Sequence, residues 1–336
     1  MKLEIRKTKR NDFVSLKQMI AEFQSFSRPT SRSISDAAFQ ANIHTALDQL
    51  ERILQFDSSF FCLSLWDEEK KEPAGYCIVE LRDRNPILLL PQAYLLDIGV
   101  GEKYRGKFYW LALIKEACKN ARQEYQWMGA VITNTNIRSL KTALRFGGFK
   151  IIGHQWMNFS NKPCSCPDSD ERNNAGVSSS AALEPSYTIT ENIGEVSSYI
   201  ERNYLFRFPD WMNYSQNEIL KWRKWWMEVL NNLLYAHGAG IVTAVMENKF
   251  CYAILALNQY EATTGEKQGT VLDISLDQSV WETNLIHFLL KKMEKICHDS
   301  GHDYLVVNLP PGYEAYMEKW GYQKERFHIM RKTEDI

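Results

Sequence analysis

No charge of one sign dominates this sequence. Its 40 Lys and Arg against 41 Asp and Glu leave a net charge of -1, so no global field recruits nucleic acid or an anionic bilayer. A long apolar run is also missing. The longest, Ile87 to Val100, is interrupted by Pro91, Gln92 and Asp97 and is too short to span a membrane as a helix. Met1 to Lys7 hold no apolar segment before the charged Lys9-Arg10-Asn11-Asp12, so no secretory signal is read and a cytoplasmic location is expected. Cysteine is sparse. The seven present are an odd number, scattered and mostly inside apolar stretches such as Phe61-Cys62-Leu63 and Tyr76-Cys77-Ile78. That argues against a disulfide framework and suits buried thiols in a reducing compartment. Cys164-Ser165-Cys166 has no second ligand pair at metal spacing, and Cys297, His298 and His302 read as a solvated helix end. No metal is expected.

What is present is length. The chain has 336 residues, of which 45% are hydrophobic and 24% charged, enough for two ordinary domains. Residues 160–186 are rich in Ser, Pro, Asp and Asn, lack periodicity and cannot bury enough apolar surface to order themselves. They are expected to be a flexible linker between an N-terminal domain, residues 1–159, and a C-terminal one, residues 187–336.

Both halves read as the same series of elements. In the first, a strand at Leu3-Ile5 precedes a helix from Asp12, with Asp12 as the expected N-cap, and a second helix runs from Asp36 to about Leu54. Strands follow at Phe60-Trp66, Gly75-Leu81 and Tyr94-Val100. After them come a helix over Phe108-Gln123, a strand at Ala130-Thr133, a helix at Ser139-Arg145 and a strand near Lys150-Ile152. The second half repeats this order, with a long helix at Gln216-Ala236 and another at Trp281-Asp299. Tyr76, Ile78 and Asp97 recur as Tyr252, Ile254 and Asp273, each 176 positions on (252 − 76, 254 − 78, 273 − 97). Leu96-Asp97-Ile98 recurs whole as Leu272-Asp273-Ile274, and Gly148-Phe149 answers Gly321-Tyr322. Matched order with matched anchors argues for internal duplication. The fold class expected is α/β (α+β): two domains, each a mixed, largely antiparallel sheet flanked by helices.

The most informative stretch runs from Tyr94 to Ile114: a strand, a basic loop holding Arg105, Gly106 and Lys107, then a helix. Such a turn aims backbone N–H groups and a helix dipole at one point, which suits a pyrophosphate. Asn134 to Ser139, followed by Arg145-Phe146-Gly147-Gly148-Phe149, is a second motif. Together the two resemble the acyl-CoA-binding motifs of the GNAT superfamily of N-acetyltransferases. The resemblance implies that the backbone of Ile98, Gly99 and Val100 holds the pantetheine arm and the thioester carbonyl. It implies that the amides of Arg105, Gly106, Lys107, Phe108, Tyr109 and Trp110 face the pyrophosphate, with Arg105 adding charge. Asn136 and Ser139 would lie on the pantetheine and adenosine side. It further implies acetyl-CoA, or another acyl-CoA, as donor, and a small-molecule or protein amine as acceptor in a ternary complex, with no membrane or nucleic-acid partner.

Three departures from the family pattern matter. Phe108 and Trp110 occupy the two later glycine positions of the loop, where glycine lets the backbone approach phosphate closely. The tyrosine that protonates the leaving thiolate is replaced by Leu144 or Ala143. The glutamate some relatives carry on the next strand falls near Val131. Asp97 is the carboxylate left on the right strand, able to take the proton of an acceptor ammonium. Its structural reading is a carboxylate tied to the sheet edge, which the recurrence at Asp273 favours. Glu102 and Tyr104 are the other candidates and read more simply as loop residues. After Asp273 no glycine or basic residue follows, so the second copy is expected to be degenerate, structural or substrate-facing. The stripe Trp222, Trp225, Trp226, Val229, Leu230 and Leu233 reads as core packing rather than a membrane face. Tyr204 to Trp211 would cap a pocket between the domains. The expected function is acyl transfer to an amine. The alternatives are a weak or inactive module that senses acyl-CoA or binds protein, and a transferase for a longer acyl chain.

Overall fold

The computed structural model describes residues 2–24, 32, 34–82, 85–121, 125–159, 185–212, 214–236, 239–261 and 264–334. The linker expected at 160–186, with Cys164 and Cys166, lies almost wholly outside the described residues. The first half contains β1 (Leu3–Lys7), α1 (Arg10–Gln24), α2 (Asp36–Phe56), β2 (Phe60–Asp67), β3 (Glu72–Arg82), β4 (Gln92–Val100), α3 (Tyr109–Ala121), β5 (Trp127–Thr133), α4 (Ile137–Phe146) and β6 (Lys150–Phe159). The second contains β7 (Ser186–Thr190), α5 (Ser197–Leu205), α6 (Gln216–Tyr235), β8 (Ala239–Met246), β9 (Lys249–Tyr260), β10 (Lys267–Ile274), α7 (Gln278–Glu282), α8 (Leu285–Asp299), β11 (Tyr304–Leu309), α9 (Glu314–Lys319) and β12 (Gln323–Lys332).

All twelve strands join one sheet, in the order β1-β2-β3-β4-β5-β12-β6-β11-β10-β9-β8-β7. Among the described residues only β4–β5 and β10–β11 pair in parallel. Period-two alternation sends neighbouring residues to opposite faces. Thus Cys62, Tyr76 and Ile78 pack on α1 and α2, while Leu63, Cys77 and Val79 pack on α3 and α4. The second half repeats this. Tyr252 and Ile254 meet α5 and α6, and Cys251, Ala253 and Leu255 meet α7, α8 and α9. The tryptophan stripe is core, as expected: Trp226 and Leu230 are fully buried, with Trp222 and Trp225 packed beside them.

The middle of the sheet is the part local sequence does not announce. The last strand of each half crosses into the other: β12 lies between β5 and β6, and β6 between β12 and β11. This explains why β6 spans ten residues rather than the three read from the sequence. Two further details differ from expectation. Asp12 lies inside α1, where it accepts from the Lys9 N–H (3.3 Å) and pairs with Arg6 (3.1 Å), so it acts from the first turn and not as the cap. The helix expected at Trp281-Asp299 is broken into α7 and α8 by Asn284, whose φ is +60°.

His154 on β6 and His328 on β12 are both buried at this exchange. Burial, with Lys324 nearby, lowers His154 to about 4. Burial, with Arg326, His154 and Arg82 nearby, lowers His328 to about 3. The folded chain therefore holds fewer protons than the unfolded one below the ordinary histidine value near 6.5. Stability is complete above that pH and falls as pH drops toward 4, by about 1.4 kcal/mol per pH unit for each proton. Urea midpoints measured from pH 7 to 4 should show this slope. His328→Asn should flatten it, and an unchanged slope would remove His328 from the account.

Candidate active site

The site begins with an irregularity in β4. Pairing with β3 runs Ile78 to Asp97 and then Val79 to Leu95, so Leu96 is an extra, bulged residue. The same bulge falls at Leu272 in β10. Bulges re-aim the neighbouring side chain, here Asp97 and Asp273. The recurrence seen in sequence is thus a recurrence of backbone shape.

The two aspartates differ in company. Asp97 is half-buried. Its Oδ2 accepts from Tyr76 Oη (2.8 Å), its Oδ1 from the Ile98 N–H (2.8 Å), and the Gln24 side chain also donates to it. Among the described residues no cation pairs with it. Burial pushes its carboxyl up to about 6, against those three donors. Asp273 is fully buried and meets the Arg207 guanidinium, Trp226 Nε1 (3.2 Å), Asn203 Nδ2 (3.2 Å) and the Ile274 N–H (2.8 Å). Arg207 also donates to Ile87 O (2.8 Å), and Leu89 packs into this cluster. The β3–β4 connection of the first half therefore plugs the face beside Asp273. On the opposite face, Trp281, Tyr313, Tyr316, Trp320 and His287 form a continuous aromatic stack. The second copy is filled from both sides.

Around Asp97 the backbone opens instead. Parallel pairing of β4 with β5 stops at Leu95 and Ala130. Beyond it Ile98, Gly99 and Val100 pair only with β3, leaving their other edge toward a wedge. A single 3-10 turn, Glu102–Tyr104, follows. Tyr104 is buried and donates to Asp67 Oδ2 (2.7 Å), a structural anchor. Gly106 sits at φ +84° and Phe108 at φ +56°. Among the described residues no backbone N–H from Gly106 to Trp110 meets an acceptor; the Arg105 N–H before them reaches Glu102 O (3.2 Å) and the Leu111 N–H after them Phe108 O (2.9 Å). Bare donors at the start of α3 are what an anion requires.

The aromatic residues of this loop diverge. Tyr109 and Trp110 are half-buried and pack against the core. Phe108 is 51% exposed, its ring edge-to-face with Phe146 at 5.5 Å. Arg105 turns back, with Nε on Val100 O (3.3 Å) and the guanidinium 5.4 Å from the Phe23 ring. Asn136 caps α4 by accepting from the Ser139 N–H (3.3 Å), and Ser139 itself is exposed. Along α4, Ile137, Arg138, Lys141, Arg145 and Phe146 line a surface groove of about 430 Å³. Leu144 and Ala143 pack against the apolar core and bring no hydroxyl. Val131 faces His328 across the β5–β12 pairing.

Phe108 holds a left-handed conformation that suits glycine. Phe108→Gly should raise stability by up to about 1 kcal/mol, read by equilibrium urea unfolding. An unchanged midpoint would mean that the lost ring contact with Phe146 offsets the relief of the backbone.

Sequence reasoning missed Tyr76 and Gln24 as partners of Asp97. The Tyr76–Asp97 pair had a signal, since both recur 176 positions later. Gln24 had none, because its contact depends on how α1 ends. The same holds for Arg326 and His328, which reach the first half only through the strand exchange.

Parallel strands that diverge after three residue pairs, a bulged β4 and a donor-rich turn into α3 make the first half the candidate site for an anionic ligand. Residues 21–149 match the acetyltransferase (GNAT) family, and solved structures share the fold over nearly the whole chain. A GCN5-related N-acetyltransferase from Sphaerobacter thermophilus superposes over 98% of this chain and 96% of its own, at 11% identity and TM-score 0.54. The glucosamine N-acetyltransferase region of a fungal multi-domain β-N-acetylglucosaminidase covers 98% of this chain and 38% of that one, at 12% identity and TM-score 0.58. A tandem GNAT protein of the clavulanic acid pathway aligns over 100% of both chains at 10% identity and TM-score 0.49. No curated protein matches the chain. Among the described residues no helix is long and apolar enough to cross a membrane.

Proposed function

We propose that the first half binds acetyl-CoA, or a related acyl-CoA, and transfers its acyl group to an amine, while the second half keeps the fold without a site. The division into residues 1–159, 160–186 and 187–336 is part of this reading. The observation that supports it most is Asp97: a carboxylate raised to about 6, with no counter-cation among the described residues, at an open strand edge beside amides that meet no described acceptor. Gly106 to Trp110 would take the pyrophosphate, with Ile98 to Val100 along the pantetheine arm and Asn136 and Ser139 near the adenosine side. An acceptor ammonium near its usual value around 10 gives its proton to Asp97. The freed amine attacks the thioester carbon, and a β4 N–H stabilises the oxyanion. Collapse breaks the C–S bond, and the adduct nitrogen gives its remaining extra proton to solvent to leave the neutral amide. The released CoA thiolate takes a proton from solvent because Leu144 and Ala143 have none to give.

That missing hydroxyl favours a second reading, an acyl-CoA-sensing module with little turnover. Two measurements separate them. Acetyl-CoA should raise the melting temperature, because a ligand of the folded state stabilises it by mass action. Thiol release should then follow when a panel of primary amines is added. A melting shift without thiol release supports the sensing module. No shift with acetyl-CoA, CoA or longer acyl-CoAs at millimolar concentration ends both.

A further inference from the structure

We infer that the second half positions the α1–α2 helix pair over Asp97, and that Arg32 is the residue through which it does so. The inference rests on the transferase reading of Asp97, and part of its test does not.

Arg32 lies between α1 and α2, and its side chain is wholly buried. Nε donates to Glu325 Oε1 (2.6 Å), and Nη2 to Glu325 Oε2 (3.1 Å) and Gln268 Oε1 (2.9 Å). Nη1 lies 3.8 Å from Glu266 Oε2, and the guanidinium stacks 4.6 Å over the Tyr304 ring. Every one of these partners belongs to the second half. A second tie comes from α2, where Asn42 Nδ2 donates to Thr264 O (2.7 Å). A two-pronged Arg–carboxylate contact fixes orientation as well as distance, which a lysine does not reproduce.

The same connected end of the helix pair roofs the site. Gln24, eight residues before Arg32 (32 − 24), donates to Asp97. Phe23 lies so close above Gly99 that a Cβ there would fall 2.4 Å from its ring. Asp97 is therefore roofed by the end of α1, and the groups around it among the described residues are Tyr76, Gln24, the Ile98 N–H and the thiols of Cys62 and Cys77.

Comparison of the halves explains why an eroded copy is useful. Arg207 occupies the α5–α6 connection as Arg32 occupies α1–α2, 175 positions on (207 − 32). Arg207 turns onto its own half's Asp273 and neutralises it. Arg32 turns away from Asp97 into the other half. The contact that closes one site thus braces the other from outside, and among the described residues Asp97 has no counter-charge.

The test uses the full chain and two variants. Arg32→Lys keeps the charge and loses the fork. The double variant Arg32→Met with Glu325→Gln removes both charges, so that no lone buried ion unfolds the protein. The readout independent of turnover is the carboxyl carbon signal of Asp97 by NMR, assigned with Asp97→Asn. If Arg32 holds the roof in place, its loss lets water reach Asp97, and the titration midpoint falls by about one pH unit or more toward ordinary carboxylates. The acetyl-CoA melting shift should stay as in the wild type. For any panel amine that supports turnover, KM should rise by about ten-fold or more, since small misplacement beside the reacting atoms is costly. An unchanged Asp97 midpoint in the folded double variant overturns the proposal, because plain interdomain glue predicts lower stability and no change at Asp97. Wild-type protein that releases no thiol with any amine defeats the transferase reading instead and leaves the NMR result interpretable.

Discussion

On the proposed transferase reading, Asp97→Asn should lower amine-dependent release of CoA by roughly two to four orders of magnitude, the usual contribution of a positioned base, while the acetyl-CoA melting shift is kept. The reasoning rests on what Asn preserves. It can still accept from Tyr76 Oη, and it fills the same volume beside Gln24. Only the capacity to take a proton is lost. The pH profile gives the sign. Asp97 is raised from its ordinary value to about 6, so wild-type kcat/KM climbs as pH rises through 6 and then levels until another group titrates. In the variant that climb disappears. Stability moves the other way. A carboxyl with a raised folded value binds its proton more tightly when folded, so folding is favoured at low pH and loses support as pH rises from about 4 to 6. The neutral Asn is spared that loss and should be at least as stable as the wild type at pH 7. Equal turnover in the two proteins would take Asp97 out of the chemistry and return it to a role in the sheet.

Asp273→Asn is expected to act in the opposite sense, costing about 3–5 kcal/mol of stability by leaving Arg207 charged and buried without its carboxylate. Both side chains of this pair are 1% exposed. Arg207 then keeps Ile87 O and at most a neutral amide oxygen as acceptors, with no negative charge to offset its own. Equilibrium urea unfolding measures the loss, and Arg207→Met combined with Asp273→Asn should recover most of it. Turnover per folded molecule should match the wild type. A single variant within about 1 kcal/mol of the wild type would mean that the pair is more hydrated than its burial implies.

The contrast between these two aspartates marks the limit of what could be read from residues alone. Strands and helices were legible wherever one face is apolar, as in β2, β3, α2 and α6, because periodicity is a local property. The duplicated Leu-Asp-Ile was legible too, down to the bulge it turned out to mark. Partners were not. That Asp273 meets Arg207 while Asp97 meets Tyr76 and Gln24 depends on how two connections of similar length turn, and Arg32 and Arg207 look alike in sequence. The length of β6 was hidden for a related reason. Its residues after Ile152, from Gly153 to Phe159, gain strand partners only from β11 and β12, which lie far along the chain. The break at Asn284 was missed because an apolar stripe continues across it, and one left-handed residue leaves no periodic trace.

The crossing of β6 and β12 has a consequence for how the protein is made. Until β12 leaves the ribosome, β5 has an unpaired edge and β6 lacks a neighbour on one side. The first half must therefore wait, with strand edges open, for the last strand to be synthesised. Open edges of this kind are templates for pairing with other chains. Translation speed and chaperone supply should accordingly govern yield more than the stability of the finished fold does. Either half expressed alone should fail to become a compact monomer, and the two should succeed only when produced together.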